Sequence, residues 1–186
     1  LVFHLMMIVY QNPSWSTGSV KDCEDRYKPL GLHTIEINNI ELIVPKLYKY
    51  KHDPNPNIRT ILETLWSAVV PQPNLAVTRY FDSILQELVV ALESRKWRDR
   101  ESSCNALTAL LVGRTFAVVE PYVEKLWVLG FRVIDDLRDS VRTAAVLYMR
   151  TLVSLTVRLC DATQTDPPTV IAMTNVMIPF LLQKGL

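Results

Sequence analysis

An arginine recurs in this chain at intervals of 41 and 42 residues, at Arg59, Arg100 and Arg142. The strings around it can be stacked: NPNIRTILETLW, KWRDRESSCNAL and LRDSVRTAAVLY. Upstream of each, at the same offset, stands a second apolar run: IVPKL at 43–47, ILQEL at 84–88 and LWVLG at 126–130. MIPFLL at 177–182 opens a further copy. A fixed period of this length means a unit that cannot bury its apolar face alone and stacks on its own kind. A single closed core, a sandwich or a barrel has no use for such a period.

The spacing of apolar residues says what the unit is made of. Val77, Phe81, Ile84, Leu85, Leu88 and Leu92 lie on one face of a helix from about 76 to 94. Val141, Ala145, Tyr148, Leu152, Leu155 and Leu159 mark a second long amphipathic helix, Ile58, Leu62, Leu65 and Val69 a third, and Cys104, Leu107 and Leu111 a shorter one. From these stripes Leu62, Leu65, Leu88, Leu107, Leu111, Ala145, Tyr148 and Leu152 are the expected core. Two helices in 41–42 residues is the HEAT signature; tetratricopeptide and ankyrin units are shorter. The expected fold is all-α, a HEAT-like helical-repeat solenoid. Residues 1–42 are a degenerate or partial repeat, 43–160 three complete repeats, 161–169 an inter-repeat loop, and 170–186 the first helix of a further repeat. Pro45 and Pro179 fall inside first helices and should bend them. Asn55-Pro56 reads as an N-cap followed by proline at the first helical position. Asp136 or Asp139 is placed to cap the helix of Arg142.

Composition then removes whole classes of function. Twenty Lys and Arg against nineteen Asp and Glu leave a net charge of +1, which argues against a nucleic-acid coat or a polybasic membrane anchor. The five glycines form no phosphate-cradling loop. Cys23, Cys104 and Cys160 are too far apart for a metal knuckle, and His4, His33 and His52 for a zinc clamp. No nucleophile elbow, Ser-x-x-Lys or His-Glu-x-x-His motif is present, so no enzyme, cofactor or small-molecule substrate is expected. Cys104 falls on an apolar helix face and reads as a small core residue. LVFHLMMIVY at 1–10 lacks the flanks of a signal peptide, and no run reaches the roughly 18 apolar residues of a membrane span. No membrane insertion is expected. The chain begins without methionine, and it is expected to be an internal slice of a longer solenoid.

Two kinds of polar residue stand out. Asp53 and Asp136 each precede a repeat arginine by six residues. With Arg59, Arg100 and Arg142 they suggest turn caps and an aspartate–arginine ladder in which one repeat reaches the next. Lys46, Lys49 and Lys51, with His52, Tyr48 and Tyr50, form one basic–aromatic patch. Arg95, Lys96 and Arg98 around Trp97 form another. Either patch could meet an acidic partner; the plainer reading is a solvated first-helix face and a helix corner.

IVPKLYKYKHDPNPNIR at 43–59, WRDRESSCNAL at 97–107, FRVIDDLRDSVRTAA at 131–145 and VMIPFLLQKGL at 176–186 resemble the proteasome-associated HEAT-repeat adapter and scaffold family. The resemblance covers 43–186, with LVFHLM and Trp15 in the same register; 16–42 departs from the family pattern. It implies a non-catalytic, cytoplasmic and nuclear scaffold that binds proteasome subunits. It also implies tethering of core and regulatory particles, support of proteasome quality control, and transport or quality-control proteins as further partners. The alternative is a HEAT domain of another system, such as a nuclear transport receptor.

Overall fold

The computed structural model describes residues 40–70 and 72–184. The chain divides into two compact units, residues 1–43 and 44–186. Of the first unit only the helical turn at 40–43 is described, so the expectation of a partial repeat at 1–42 falls almost wholly outside the described residues. All the packing below lies in the second unit.

Every regular element among the described residues is helical. In order they are α1 (Ile40–Tyr50), α2 (Pro56–Val69), α3 (Pro73–Arg79), α4 (Phe81–Leu92), α5 (Trp97–Leu110) and the single turn α6 (Phe116–Val119). A 3-10 turn (Glu120–Tyr122), α7 (Val123–Ile134), α8 (Asp139–Cys160) and α9 (Pro167–Lys184) follow. Three pairs result: α1 with α2, α4 with α5, and α7 with α8. Arg59, Arg100 and Arg142 are each the fourth residue of the second helix in their pair. Their amides make the first i to i−4 bonds, to the carbonyls of Asn55, Lys96 and Arg138 at 2.9, 3.3 and 3.1 Å.

The 76–94 stretch is two helices, not one. At Tyr80 the backbone turns to φ −105° and ψ 21°, yet Tyr80 N–H still reaches the Ala76 carbonyl and Ile84 N–H the Tyr80 carbonyl, both at 2.9 Å. The chain is kinked there with the ladder bridged. The third repeat bends one period later through the 3-10 turn at Pro121. The inter-repeat loop is shorter than 161–169. Asp166 accepts the Thr169 amide at 3.1 Å, and α9 opens on Pro167-Pro168, where missing amides cost nothing.

The core is a stack of leucines with one polar bolt. Leu85, Leu88, Leu107, Leu110, Leu111, Leu126 and Leu152 are fully or almost fully buried, as are Ala145 and Tyr148. Burying such a side chain stabilises by roughly 1.5–3 kcal/mol. Tyr148 donates its hydroxyl to the Leu126 carbonyl at 2.7 Å, tying α8 to α7. Gly130 lets α7 come this close: a Cβ there would lie 2.2 Å from Met149 Sδ. Helices α5 and α8 have the most extensive packing of any pair. At the opposite end of the pairs, α5 closes at Gly113, whose φ of +70° favours glycine. Arg158 of α8 donates to the Arg114 carbonyl, which fastens that loop.

Leu65 is only partly buried; Trp66 takes its place beside Leu62. The buried positions 62, 66 and 70 advance by four, so the stripe is rotated from the one the spacing alone suggested. Helix α8 is long and apolar enough to cross a bilayer by length and composition. Its Val141, Ala145, Tyr148 and Leu152 are buried within the stack instead.

Candidate functional site

The turns joining paired helices repeat one pattern, a side-chain oxygen accepting the amide two residues on. Asp53 Oδ1 accepts the Asn55 amide at 2.8 Å, Ser94 Oγ the Lys96 amide at 3.1 Å, and Asp136 Oδ1 the Arg138 amide at 2.9 Å. Each is a side-chain turn that mimics a backbone one. Asn55 also caps α2, accepting from Asn57 and Ile58. Neither Asp136 nor Asp139 caps α8 by a side-chain bond from the N-cap position, which Arg138 occupies. Asp136 instead satisfies the Arg138 amide from two residues upstream. The repeat arginines fold back over their own turns: Arg100 donates to the Ser94 carbonyl at 2.9 Å and Arg142 to the Asp136 carbonyl at 2.7 Å.

Other bonds from the same turns cross between repeats. Arg100 grips Asp136 of the third repeat through two bonds, 2.5 and 2.8 Å long. Arg98 grips Asp53 of the first at 2.9 and 2.8 Å. Ser140 donates to Glu101 at 2.6 Å. Forked arginine–carboxylate pairs of this kind fix geometry as well as charge. The Arg100 bond, then the Arg138 amide, hold the Asp136 carboxyl below its ordinary range against the opposing effect of burial. Arg142 reaches Asp139 at 2.9 Å in an exposed pair. Arg59 is exposed, and it takes part in no ion pair among the described residues.

The two basic patches separate into structural and open groups. Lys49 is buried and paired with Glu87 of α4 at 2.6 Å, so it joins first helices of adjacent repeats and is not presented to a partner. Lys51 lies over the Tyr48 and Trp66 rings at 4.4 and 4.5 Å. Loss of water lowers its pKa, opposed by Glu63. Arg98 is committed to Asp53. Lys46, Arg95 and Lys96 are exposed. Sequence spacing did not single out Ser94, Glu101, Arg138 or Ser140. Ser94 was findable, since it stands six residues before Arg100, as Asp53 and Asp136 stand before theirs.

Chemical reactivity is muted. The Cys104 thiol is buried and pushed up to about 12, chiefly by that burial, so it carries almost no thiolate at neutral pH. The Tyr48 hydroxyl is likewise raised to about 12 by burial. His52 is lowered to about 4 by burial, then by Lys51 and Arg59, and stays neutral. Among the described residues no three His, Cys, Asp or Glu side chains converge as metal ligands.

What the turns do present is a cleft of about 290 Å³ spanning three repeats. Pro54 and Asn55 come from the first turn, Trp97, Arg98 and Glu101 from α5, and Arg138 and Ser140 from the third turn. Trp97 is 39% exposed, and the Arg138 guanidinium sits 4.6 Å above its ring.

The sequence matches much longer proteins. Over 146 residues it is 40% identical to the human proteasome adapter and scaffold protein ECM29, covering 77% of this chain and 8% of that protein. Over 149 residues it is 33% identical to the proteasome component ecm29 of Schizosaccharomyces pombe, covering 77% and 9%. Over 127 residues it is 31% identical to the proteasome component ECM29 of Saccharomyces cerevisiae, covering 68% and 7%. The chain thus spans less than a tenth of the length of these relatives. No protein-family profile matches it, and no solved structure does. On the strength of these matches and its stacked helix pairs, the chain belongs to the Ecm29 family, aligned with one short stretch of its long members.

Proposed function

We propose that this chain is a non-catalytic, proteasome-binding scaffold segment that works in the cytoplasm and nucleus. One observation carries the reading: 40% identity over 146 residues to a human protein named for adapting and scaffolding the proteasome. The physical design supports it. Stacked helix pairs hold an extended surface in fixed register, which suits a binding face. The polar side chains with the best geometry are spent on turns and between repeats, not gathered around a reacting centre. Within this reading the segment helps tether core and regulatory particles and supports proteasome quality control, with transport or quality-control proteins as additional partners. The test is capture of purified proteasomes by the immobilised 1–186 chain. Retention above that of an unrelated helical-repeat protein is expected; equal retention would overturn the reading.

A further inference from the structure

We propose that the cleft at Trp97 and Arg138 is a docking site for an acidic segment of a partner protein, one carboxylate on Arg138 and an apolar side chain against Trp97. That the partner is a proteasome subunit rests on the reading above; the chemistry of the cleft does not.

The argument begins with an exposed tryptophan. Trp97 opens α5 on the surface, and the flat Arg138 guanidinium covers its ring at 4.6 Å. Stacking uses the face of a guanidinium and leaves its N–H edges to donate. Among the described residues no carboxylate pairs with the Arg138 guanidinium, which lies against the Trp97 ring, while its backbone amide is held by Asp136. A carboxylate received on that edge gains two charge-assisted bonds at a donor already held in place.

The cleft offers an anion site with an apolar neighbour. Arg59, Arg95, Lys96 and Arg138 are exposed on or beside the turns. Glu93, Asp99, Glu101 and Asp135 balance them in number, so the pull on a carboxylate is local to the Arg138 edge. The carboxylate within the cleft, Glu101, already takes the Ser140 hydroxyl at 2.6 Å. Leu137 in the third turn is fully exposed. Arginine and tryptophan side by side are the composition of binding hot spots. The walls are fixed before any partner arrives, because Arg98 is forked onto Asp53 and Ser140 onto Glu101. Little ordering entropy on the side of the cleft remains to oppose binding.

The experiment titrates the whole 1–186 chain into a fluorescein-labelled octapeptide of Glu and Asp with one central Leu, read by anisotropy. Arg138→Glu should weaken binding at least about tenfold and Trp97→Ala about three- to tenfold, the range of interface hot spots. Arg138→Lys keeps the charge but not the flat stack and should fall between wild type and Arg138→Glu. Lys46→Glu makes the same charge change on α1 and should stay within about twofold. Thermal unfolding by circular dichroism checks that each variant is folded. The proposal is overturned if the wild type does not bind, if Arg138→Glu matches it, or if Lys46→Glu costs as much. It is also overturned if an eight-nucleotide oligo-dT binds as tightly, since the cleft would then favour phosphate over carboxylate. Proteasome capture is scored separately: Arg138-dependent peptide binding without any wild-type capture retains the cleft and removes the proteasome reading.

Discussion

The first repeat and the second–third junction carry the same turn motif, but they are tied down differently. At the later junction α5 and α8 pack along each other, and the side chains of the Arg100–Asp136 pair are only 15% and 8% exposed. At the earlier one the matching rung is Asp53–Arg98, with Arg98 43% exposed. Helix α2 leans on α1 through the Tyr48 and Trp66 rings, edge to face at 5.6 Å. His52 Nε2 and Trp66 Nε1 in that corner are buried without a hydrogen-bond partner, and an unpaired buried donor or acceptor costs about 1–3 kcal/mol. The period places residues, while the area packed beneath each rung decides what that rung is worth.

The largest expected effect comes from cutting the better-packed region. Leu107→Ala should lower unfolding stability by about 2–5 kcal/mol, with Leu62→Ala in α2 at the low end of that range. Chemical denaturation of both variants checks this, and equal losses would erase the contrast between the two regions. Next is the rung itself. Asp136→Asn leaves the Arg100 guanidinium without its carboxylate in a mostly buried place and should cost about 2–4 kcal/mol, whereas Asp53→Asn should cost about 1 kcal/mol because Arg98 can turn to water. Since the Asp136 carboxyl is held below its ordinary value, its contribution is present above about pH 4 and is lost as pH falls through the lower folded value. Denaturation of Asp136→Asn should therefore show a shallower decline below pH 4 than wild type.

A third prediction concerns the first repeat alone. His52 titrates near 6.5 when unfolded and at about 4 when folded. A depressed histidine makes the unfolded state bind more protons between those values, so stability drains away as pH falls from 6.5 toward 4. About 1–3 kcal/mol should go, and His52→Gln should flatten that part of the profile. A variant with an unchanged slope would show that the imidazole is not held neutral. The smallest effect is at the arginine of the first repeat: Arg59→Ala, on the surface, should stay within about 0.5 kcal/mol, while Arg100→Ala tracks Asp136→Asn.

These contrasts mark how far the sequence could be read. Arg59, Arg100 and Arg142 fall at the same helical position because a period of 41–42 residues leaves no other place for them. Leu88, Leu107, Leu111, Tyr148 and Leu152 are core because each lies on an apolar stripe that its helix turns toward a packed neighbour. Leu65 and Trp66 could not be told apart, since either completes a helical face and only the rings across α1 choose. Lys49 reads as a solvent residue until Glu87, thirty-eight positions away, is brought beside it. The Tyr80 kink has no proline to announce it. The Trp97–Arg138 stack joins two repeats, so neither turn shows it by itself.

Native-state hydrogen exchange followed by mass spectrometry tests most directly whether one repeated motif is unequally anchored. Amides of α5 and α8 should exchange only through global unfolding, and those of α2 orders of magnitude faster through local opening. Equal protection of α2 and α5, or protection in α2 that survives loss of α5, would contradict the account.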